Sequence, residues 1–324
     1  MVIEVYSGLT SRIKTLNEAY DIAKRNRESL TIIWPKEYHC YIDFWEVFDT
    51  ASFPGVEIRL IQINFGKYKD ESIRALLKSK QLIRCCKAIK SRIIKTFLLV
   101  QPTRIGLTKL KAKCVFFDTT PPSHVGWPKG ATTGWDNYLE WDRSIRARIN
   151  SALAGSEDEI YIRAYCGFSI TPKLDYSALI FKKTYVDNVN GILGNHESVV
   201  GIHMRRNDHD LCISINPTNE FYLVMDKMIQ SSPNIAFFLA TDSKQTEYDV
   251  IQKYGSRILF QKDKSWGFGS VEGMKSSIID LLALSKCQTI VGSEGSIFSE
   301  FAAEYGGTKL IYCHESLLWE SFRI

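Results

Sequence analysis

The sequence is short of the features that would place it in a membrane or an oxidising compartment. Its longest apolar runs, such as Phe97-Leu98-Leu99-Val100, fall far short of the roughly 18 residues a membrane span needs. Met1-Val2-Ile3-Glu4-Val5 sets a carboxylate where a signal peptide carries its basic region, and it reads as a strand. The eight cysteines are irregularly spaced, with Cys85 and Cys86 adjacent, and none form a C-x-x-C. That excludes the usual zinc and thioredoxin motifs. The one Asn-x-Thr, Asn216-Pro217-Thr218, is blocked by its proline. Together these absences fit a cytoplasmic chain with free thiols.

Several function classes are excluded in the same way. No G-x-x-x-x-G-K-[ST] phosphate loop occurs, which argues against an NTP hydrolase. No G-x-S-x-G elbow occurs, which argues against an α/β-hydrolase. Gly267-Phe268-Gly269-Ser270-Val271-Glu272-Gly273 has one residue too many before its last glycine for a dinucleotide fingerprint, and reads as a loop. There is no short sequence repeat. Lys plus Arg is 41 against 36 Asp plus Glu, a net charge of +5, but the cations are scattered. An anionic small ligand fits that balance better than nucleic acid.

What remains is an ordinary globular composition, 45% hydrophobic and 24% charged, over 324 residues. At about 150 residues per domain, that suggests two domains. Strand and helix patterns alternate. Val2–Tyr6, a helical stretch Ser11–Asn26 and Leu30–Trp34, stopped by Pro35, make a first β-α-β unit. Val56–Ile63, Cys114–Phe117 and Ile160–Tyr165 read as further strands, and the basic Lys69–Arg104 as helical. Pro121–Trp141, with Trp127, Trp135, Tyr138 and Trp141, reads as an aromatic loop, either a binding surface or packed. Tyr176–Leu193 reads as a connection. Beyond it come strands at Ser198–Met204, Ile235–Ala240, Arg257–Phe260, Thr289–Gly292 and Lys309–Tyr312. Helices separate them at Asn219–Gln230, Glu247–Tyr254, Val271–Ser285 and Ser296–Tyr305. This alternation predicts an α/β fold with two mainly parallel sheets, in domains 1–190 and 191–324.

In such folds ligands bind beyond the C-terminal strand ends. After Val199–His203 come Met204-Arg205-Arg206-Asn207-Asp208-His209-Asp210. Two arginines there suit a phosphate clamp, since a guanidinium offers forked donors; a surface Arg–Asp cluster is the plain alternative. Asp208-His209-Asp210 also spells D-x-D, a pattern able to chelate Mn²⁺ or Mg²⁺. Thr241-Asp242-Ser243 follows another strand, as ligand contact or helix cap. Gly292-Ser293-Glu294-Gly295-Ser296 joins a buried strand to a helix, where small residues and free N–H groups suit an anion. Asp280 interrupts an apolar helix; a lone carboxylate suits the N1–H and amine of guanine.

These stretches together resemble the GDP-fucose-dependent fucosyltransferases, the nodulation and α1,6 group. Gly8-Leu9-Thr10-Ser11-Arg12-Ile13 is similar to that family's G-L-x-N-R-L opening, and His203-Met204-Arg205-Arg206-Asn207-Asp208 to its H-x-R-R-x-D motif. Ile279-Asp280-Leu281-Leu282-Ala283-Leu284-Ser285 through Ser299 is similar to its C-terminal donor block, with Phe238–Ser243 in order between. The resemblance implies a GT-B-like fold of two Rossmann-type halves, the second holding the donor. It implies inverting transfer of fucose from GDP-fucose to a saccharide or glycoconjugate acceptor, with no metal and no further cofactor. It places His203 and Asp280 on guanosine and Arg205 and Ser296 on the diphosphate. Gly8, Arg12, Asp242 and Ser293 join the donor set, and Arg205, Arg206 and Asp208 the catalytic set. Acceptor binding is expected in the N-terminal half. Two positions depart from the pattern. Ser11 stands where the family has Asn, and Ile213 stands ten residues past His203, where the α1,6 enzymes carry a carboxylate base. Asp208 and Asp210 are then the candidate bases. A metal-dependent D-x-D transferase and a degenerate nucleotide-sugar or glycan sensor are the rival readings.

Overall fold

The computed structural model describes residues 1–64, 114–122, 125, 135–155, 159–168, 175–196, 198–207 and 210–313. The chain divides into two compact units, Met1–Ile180 with Phe268–Val271, and Phe181–Gly267 with Glu272–Ile324.

In the N-terminal unit, β1 (Val2–Val5), β2 (Leu30–Lys36), β3 (Ile58–Asn64), β4 (Cys114–Asp118) and β5 (Glu159–Ala164) form one sheet in the order β3-β2-β1-β5-β4. Every pairing in it is parallel. Helix α1 (Leu9–Asn26) packs on β1 and β2 and turns Leu16, Ala19, Tyr20 and Ala23 inward, the helical spacing expected from the sequence. Strand β2 does not stop at Pro35. β1 pairs only as far as Ile33, so the absent proline N–H leaves no β1 carbonyl waiting. Trp34, Phe44, Phe48 and Phe53 cluster behind this edge, around the short helix α2 (Phe44–Val47).

Two expectations change here. Trp135, Tyr138 and Trp141 lie in a helix, α3 (Trp135–Gly155), not in a loop. Asp136 in its first turn suits the helix dipole, and an Asp142–Arg146 pair at 2.7 Å spans one turn. Trp127 and Lys69–Arg104 lie outside the described residues. The presumed connection Tyr176–Leu193 contains α4 (Lys183–Leu193), which turns Tyr185 and Val189 inward four residues apart.

The C-terminal unit holds β6 (Val199–Met204), β7 (Ala236–Thr241), β8 (Ile258–Leu259), β9 (Thr289–Gly292) and β10 (Lys309–Tyr312) in the order β10-β9-β6-β7-β8, again all parallel. Its helices are α5 (Asp210–Ile215), α6 (Thr218–Ser231), α7 (Lys244–Tyr254), α8 (Val271–Ser285) and α9 (Ile297–Gly306). One face of β6 sends Val200, Ile202 and Met204 into a core with Phe221, Val224, Met225 and Met228 of α6. On the other face Gly201 meets Leu284 of α8, where an added Cβ would lie 2.8 Å from a leucine methyl. Burial on both faces explains the unbroken apolar strands. Gly306 at the end of α9 lies against the backbone of Ser285 at the end of α8.

Candidate functional site

The order β8-β7-β6-β9-β10 reverses direction at β6, so the ends of β6 and β9 mark the switch point of this sheet, where ligands of such folds bind. Of the residues singled out in the C-terminal half, His203, Arg205, Arg206, Asp242, Ser293 and Ser296 lie at or just beyond the ends of β6, β7 and β9. Ser293 after β9 is fully buried. Its hydroxyl donates to the His203 carbonyl at 3.0 Å and accepts the Arg205 N–H at 3.2 Å, stapling the β9 turn to the end of β6. Asp242 after β7 holds the same turn from the other side. Its carboxylate accepts the N–H of Arg206 at 2.7 Å and of Asn207 at 3.2 Å, and the Asn207 amide returns a bond to the Asp242 carbonyl. The backbone carrying both arginines is therefore fixed by two strand ends.

Three side chains around this turn hold buried polar atoms with no partner among the described residues: His203 Nδ1, Arg206 Nε and Nη2, and Ser296 Oγ. His203 stacks on Phe298 with ring centroids 5.1 Å apart. Arg206 sits 5.3 Å over the Phe221 ring, with Nη1 on the Arg205 carbonyl at 3.0 Å. Ser296 caps α9 by backbone conformation, not by a side-chain bond. A buried, unpaired polar atom costs about 1–3 kcal/mol, so such a group calls for a ligand or water. Burial lowers the Arg206 pKa as well.

Burial, and then the charges of Arg205, Lys264 and Arg206, push the His203 pKa down to about 3. The folded protein thus keeps this ring neutral where the unfolded chain, near 6.5, takes a proton. The stability it confers is full above pH 6.5 and falls as pH drops toward 3. Glu4, pushed up to about 7 by burial, acts in the opposite sense and loses stability as pH rises from 4.5 to 7. The difference in melting temperature between the wild type and His203→Asn, followed from pH 7 to 4, should therefore shrink as pH falls. A constant difference would refute the burial effect.

Asp280 is buried on α8. One oxygen accepts from Lys264 Nζ at 2.5 Å and the other from the Gln261 amide. Lys264 also donates to the Thr241 carbonyl at 2.6 Å, so it ties the end of β7 to α8. Burial pushes the Asp280 carboxyl up against the pull of Lys264. Each carboxylate oxygen still has capacity for a second donor.

Sequence reading missed two contributors. Lys264 has no motif around it. Asn216 was noticed only as a blocked sequon, yet it is fully buried. Its amide donates to the carbonyls of Cys212 at 2.6 Å and Glu294 at 3.1 Å, and its oxygen accepts the Glu294 N–H at 2.8 Å, so it locks the turn after β9. An asparagine just before Pro217, at the start of a helix, was the available signal.

Gly8 and Arg12 belong to the N-terminal unit. Gly8 caps α1. Arg12 is fully buried, and all three of its nitrogens meet protein acceptors: Nε the Ser7 carbonyl at 2.7 Å, Nη1 the Pro35 carbonyl, and Nη2 Glu37 at 2.6 Å. It is a strut between the β1–α1 turn and the end of β2. Asp208 and His209 lie outside the described residues, and among the described ones no three His, Cys, Asp or Glu gather as a metal site. No described helix is long and apolar enough to cross a membrane.

No family model and no curated protein matches the chain. Solved structures do, and the fold they share with it is the GT-B-like architecture of fucosyltransferases. NodZ α-1,6-fucosyltransferase soaked with GDP-fucose superposes with a TM-score of 0.54 at 16% identity, over 94% of this chain and 91% of that one. Fucosyltransferase NodZ from Bradyrhizobium gives 0.53 at 17%, over 93% and 91%. POFUT1 in complex with GDP gives 0.50 at 11%, over 96% and 97%.

Proposed function

We propose that this protein is a fucosyltransferase that moves fucose from GDP-fucose to a saccharide or glycoconjugate hydroxyl, with inversion and without a metal. The observation that carries the reading is the set of orphaned polar atoms of His203, Arg206 and Ser296 at the switch point. They lie on the turns that leave β6 and β9, where a nucleoside diphosphate would supply the missing partners, and the neighbours of the same fold include structures with GDP or GDP-fucose.

In the transfer, an acceptor oxygen attacks the anomeric carbon, and the bond from that carbon to the β-phosphate oxygen breaks. The electron pair leaves with GDP, and the hydroxyl proton passes to a base, for which Asp208 and Asp210 are the candidates. Negative charge grows on the diphosphate as the bond stretches. In this reading Arg205, Arg206 and the N-terminus of α9 would meet it, in the role a metal would otherwise fill. His203, neutral because it is buried, can accept or donate at the guanosine without adding charge. Asp280 would read the base. The cysteines and the absence of a sequon suit work in a reducing cytoplasm.

A thermal-shift panel tests the reading. GDP and GDP-fucose should raise the melting midpoint equally with and without EDTA. A ligand at a hundredfold excess over Kd contributes about 2.7 kcal/mol. Stabilisation by UDP-sugars alone, or only with added Mn²⁺, would replace this reading with the D-x-D one.

A further inference from the structure

Lys264 is a buried cation that the transfer does not use. Its side chain is 7% exposed, as is that of Asp280, and the surroundings of this pair are one-sided. Both oxygens of Asp280 face donors: Oδ2 the Lys264 ammonium at 2.5 Å, and Oδ1 the amide of Gln261. Each donor is anchored a second time on a backbone carbonyl, a group that can only accept. Lys264 Nζ donates to the Thr241 carbonyl at the end of β7, at 2.6 Å, and the Gln261 amide nitrogen to the Ser276 carbonyl of α8, at 2.7 Å. A flipped Gln261 amide would set its oxygen against that carbonyl, so the nitrogen stays on Asp280. The Ser265 N–H on Ser276 Oγ at 3.0 Å pins the loop that carries both donors, and Lys264 lies 4.7 Å from the Trp266 ring.

This shell fits one protonation state. A neutral carboxyl turns one oxygen into an O–H donor, and that hydrogen would point at an ammonium or at an amide N–H. The anion has acceptors only, and each oxygen keeps room for one more donor after Lys264 and Gln261 are served. Burial works against the anion, and Lys264 works for it. Glu247 of α7 faces the same pair: burial pushes its carboxyl up, Lys264 pulls it down and Asp280 adds a smaller push. His203 of β6 feels Lys264 as well, and burial keeps it neutral. Among the described residues, Lys264 is thus the cation that acts on Asp280.

We propose that Lys264 is a positioning residue: it holds Asp280 as an acceptor-only carboxylate, and so makes the site select a purine edge with two adjacent N–H donors. Guanine has such an edge, with N1–H beside the 2-amine. Hypoxanthine keeps N1–H alone, and adenine presents a bare N1. The inference rests on the donor reading above, in which Asp280 meets the base, and adds the residue that sets the choice. A lysine that only packed the loop would change the affinity for every nucleotide alike and at every pH.

The test is calorimetric titration of GDP, IDP and ADP into the wild type and Lys264→Met between pH 5.5 and 8. At pH 7.5 the wild type should bind GDP about tenfold tighter than IDP, the worth of one hydrogen bond, and ADP more weakly still. Taking the ratio of GDP to IDP affinity cancels the titration of the diphosphate, which both share. Acid should erode that ratio as Asp280 takes a proton. In Lys264→Met the erosion should set in about one pH unit higher or more, and Lys264→Arg should bring it back toward the wild-type profile. If Lys264→Met fails to fold, Lys264→Gln, which keeps a donor and loses the charge, carries the same comparison. Parallel profiles in the wild type and the folded neutral variant would overturn the proposal, and so would a wild type that binds GDP and IDP alike. In both cases GDP still binds and the donor reading stands. A wild type that binds none of the three would remove the donor reading, and this proposal with it.

Discussion

Arg205→Ala should lower the proposed fucosyl transfer by about two to three orders of magnitude while the melting temperature stays close to that of the wild type. The two halves of that expectation come from different atoms. The turn after β6 is held through backbone groups: the Arg205 N–H on Ser293, and the Arg206 and Asn207 N–H groups on Asp242. Those bonds survive when the side chain is cut back. What goes is the guanidinium that follows β6. Charge that grows in the transition state loses more than charge already present in the bound donor, so kcat should fall more than GDP affinity. Arg205→Lys should recover only part of the rate, because an ammonium cannot reproduce the fork of a guanidinium. Steady-state kinetics with GDP-fucose decide the matter, and a wild-type kcat in the alanine variant would sink the mechanism. Arg206→Ala is a poorer test, since that side chain also packs on Phe221.

Gly306→Ala should destabilise the C-terminal unit by about 3 kcal/mol or more, one of the larger losses a single methyl can cause. An added Cβ would run into the Ser285 carbonyl oxygen and lie 2.7 Å from its carbon and 3.0 Å from its Cα. These are backbone atoms at the end of α8, so no rotamer change relieves the clash and the helices must part. The contrast with Gly201 makes the test specific. There the obstacle is a Leu284 methyl at 2.8 Å, which can swing away, so Gly201→Ala should cost less. Thermal denaturation of both variants should place Gly306→Ala lower by several degrees, and the reverse order would refute the packing argument.

The fold class was legible because a strand buried on both faces leaves a mark no helix surface does. Val199–Met204 and Ala236–Thr241 are nearly unbroken apolar runs, joined by helices with one apolar side. Helices α3 and α4 were not legible in the same way. α3 is spiked with charges and large aromatics, and α4 turns only Tyr185 and Val189 inward, too thin a stripe to stand out. In the site, the residue types after β6 and β9 singled out these strand ends by themselves. Their division of labour did not show. Ser293 and Asp242 brace the arginine turn across 88 and 36 residues of sequence, and Lys264 reaches Asp280 across 16. No local period records such distances. Arg12 shows the limit of a motif most directly: the pattern names the residue, and only the fold reveals that its guanidinium faces inward.

An all-parallel sheet contains no hairpin, and that bears on how the N-terminal unit is made. β1 can meet β2 after some thirty residues, at Thr31–Ile33, but its other edge waits for Tyr161–Ala164 of β5. At a synthesis rate of about 5–20 residues per second, that edge stands open for on the order of ten seconds. Val-Ile-Glu-Val is an apolar edge, the kind that captures strands from neighbouring chains. Glu4 sits in the middle of it. While β5 is still unmade the carboxylate is in water and ionised, a charge that discourages foreign pairing. Tyr161 and Arg163, the groups that later satisfy it, arrive on β5 itself. The residue that guards the open edge is thus disarmed only by the strand that belongs there.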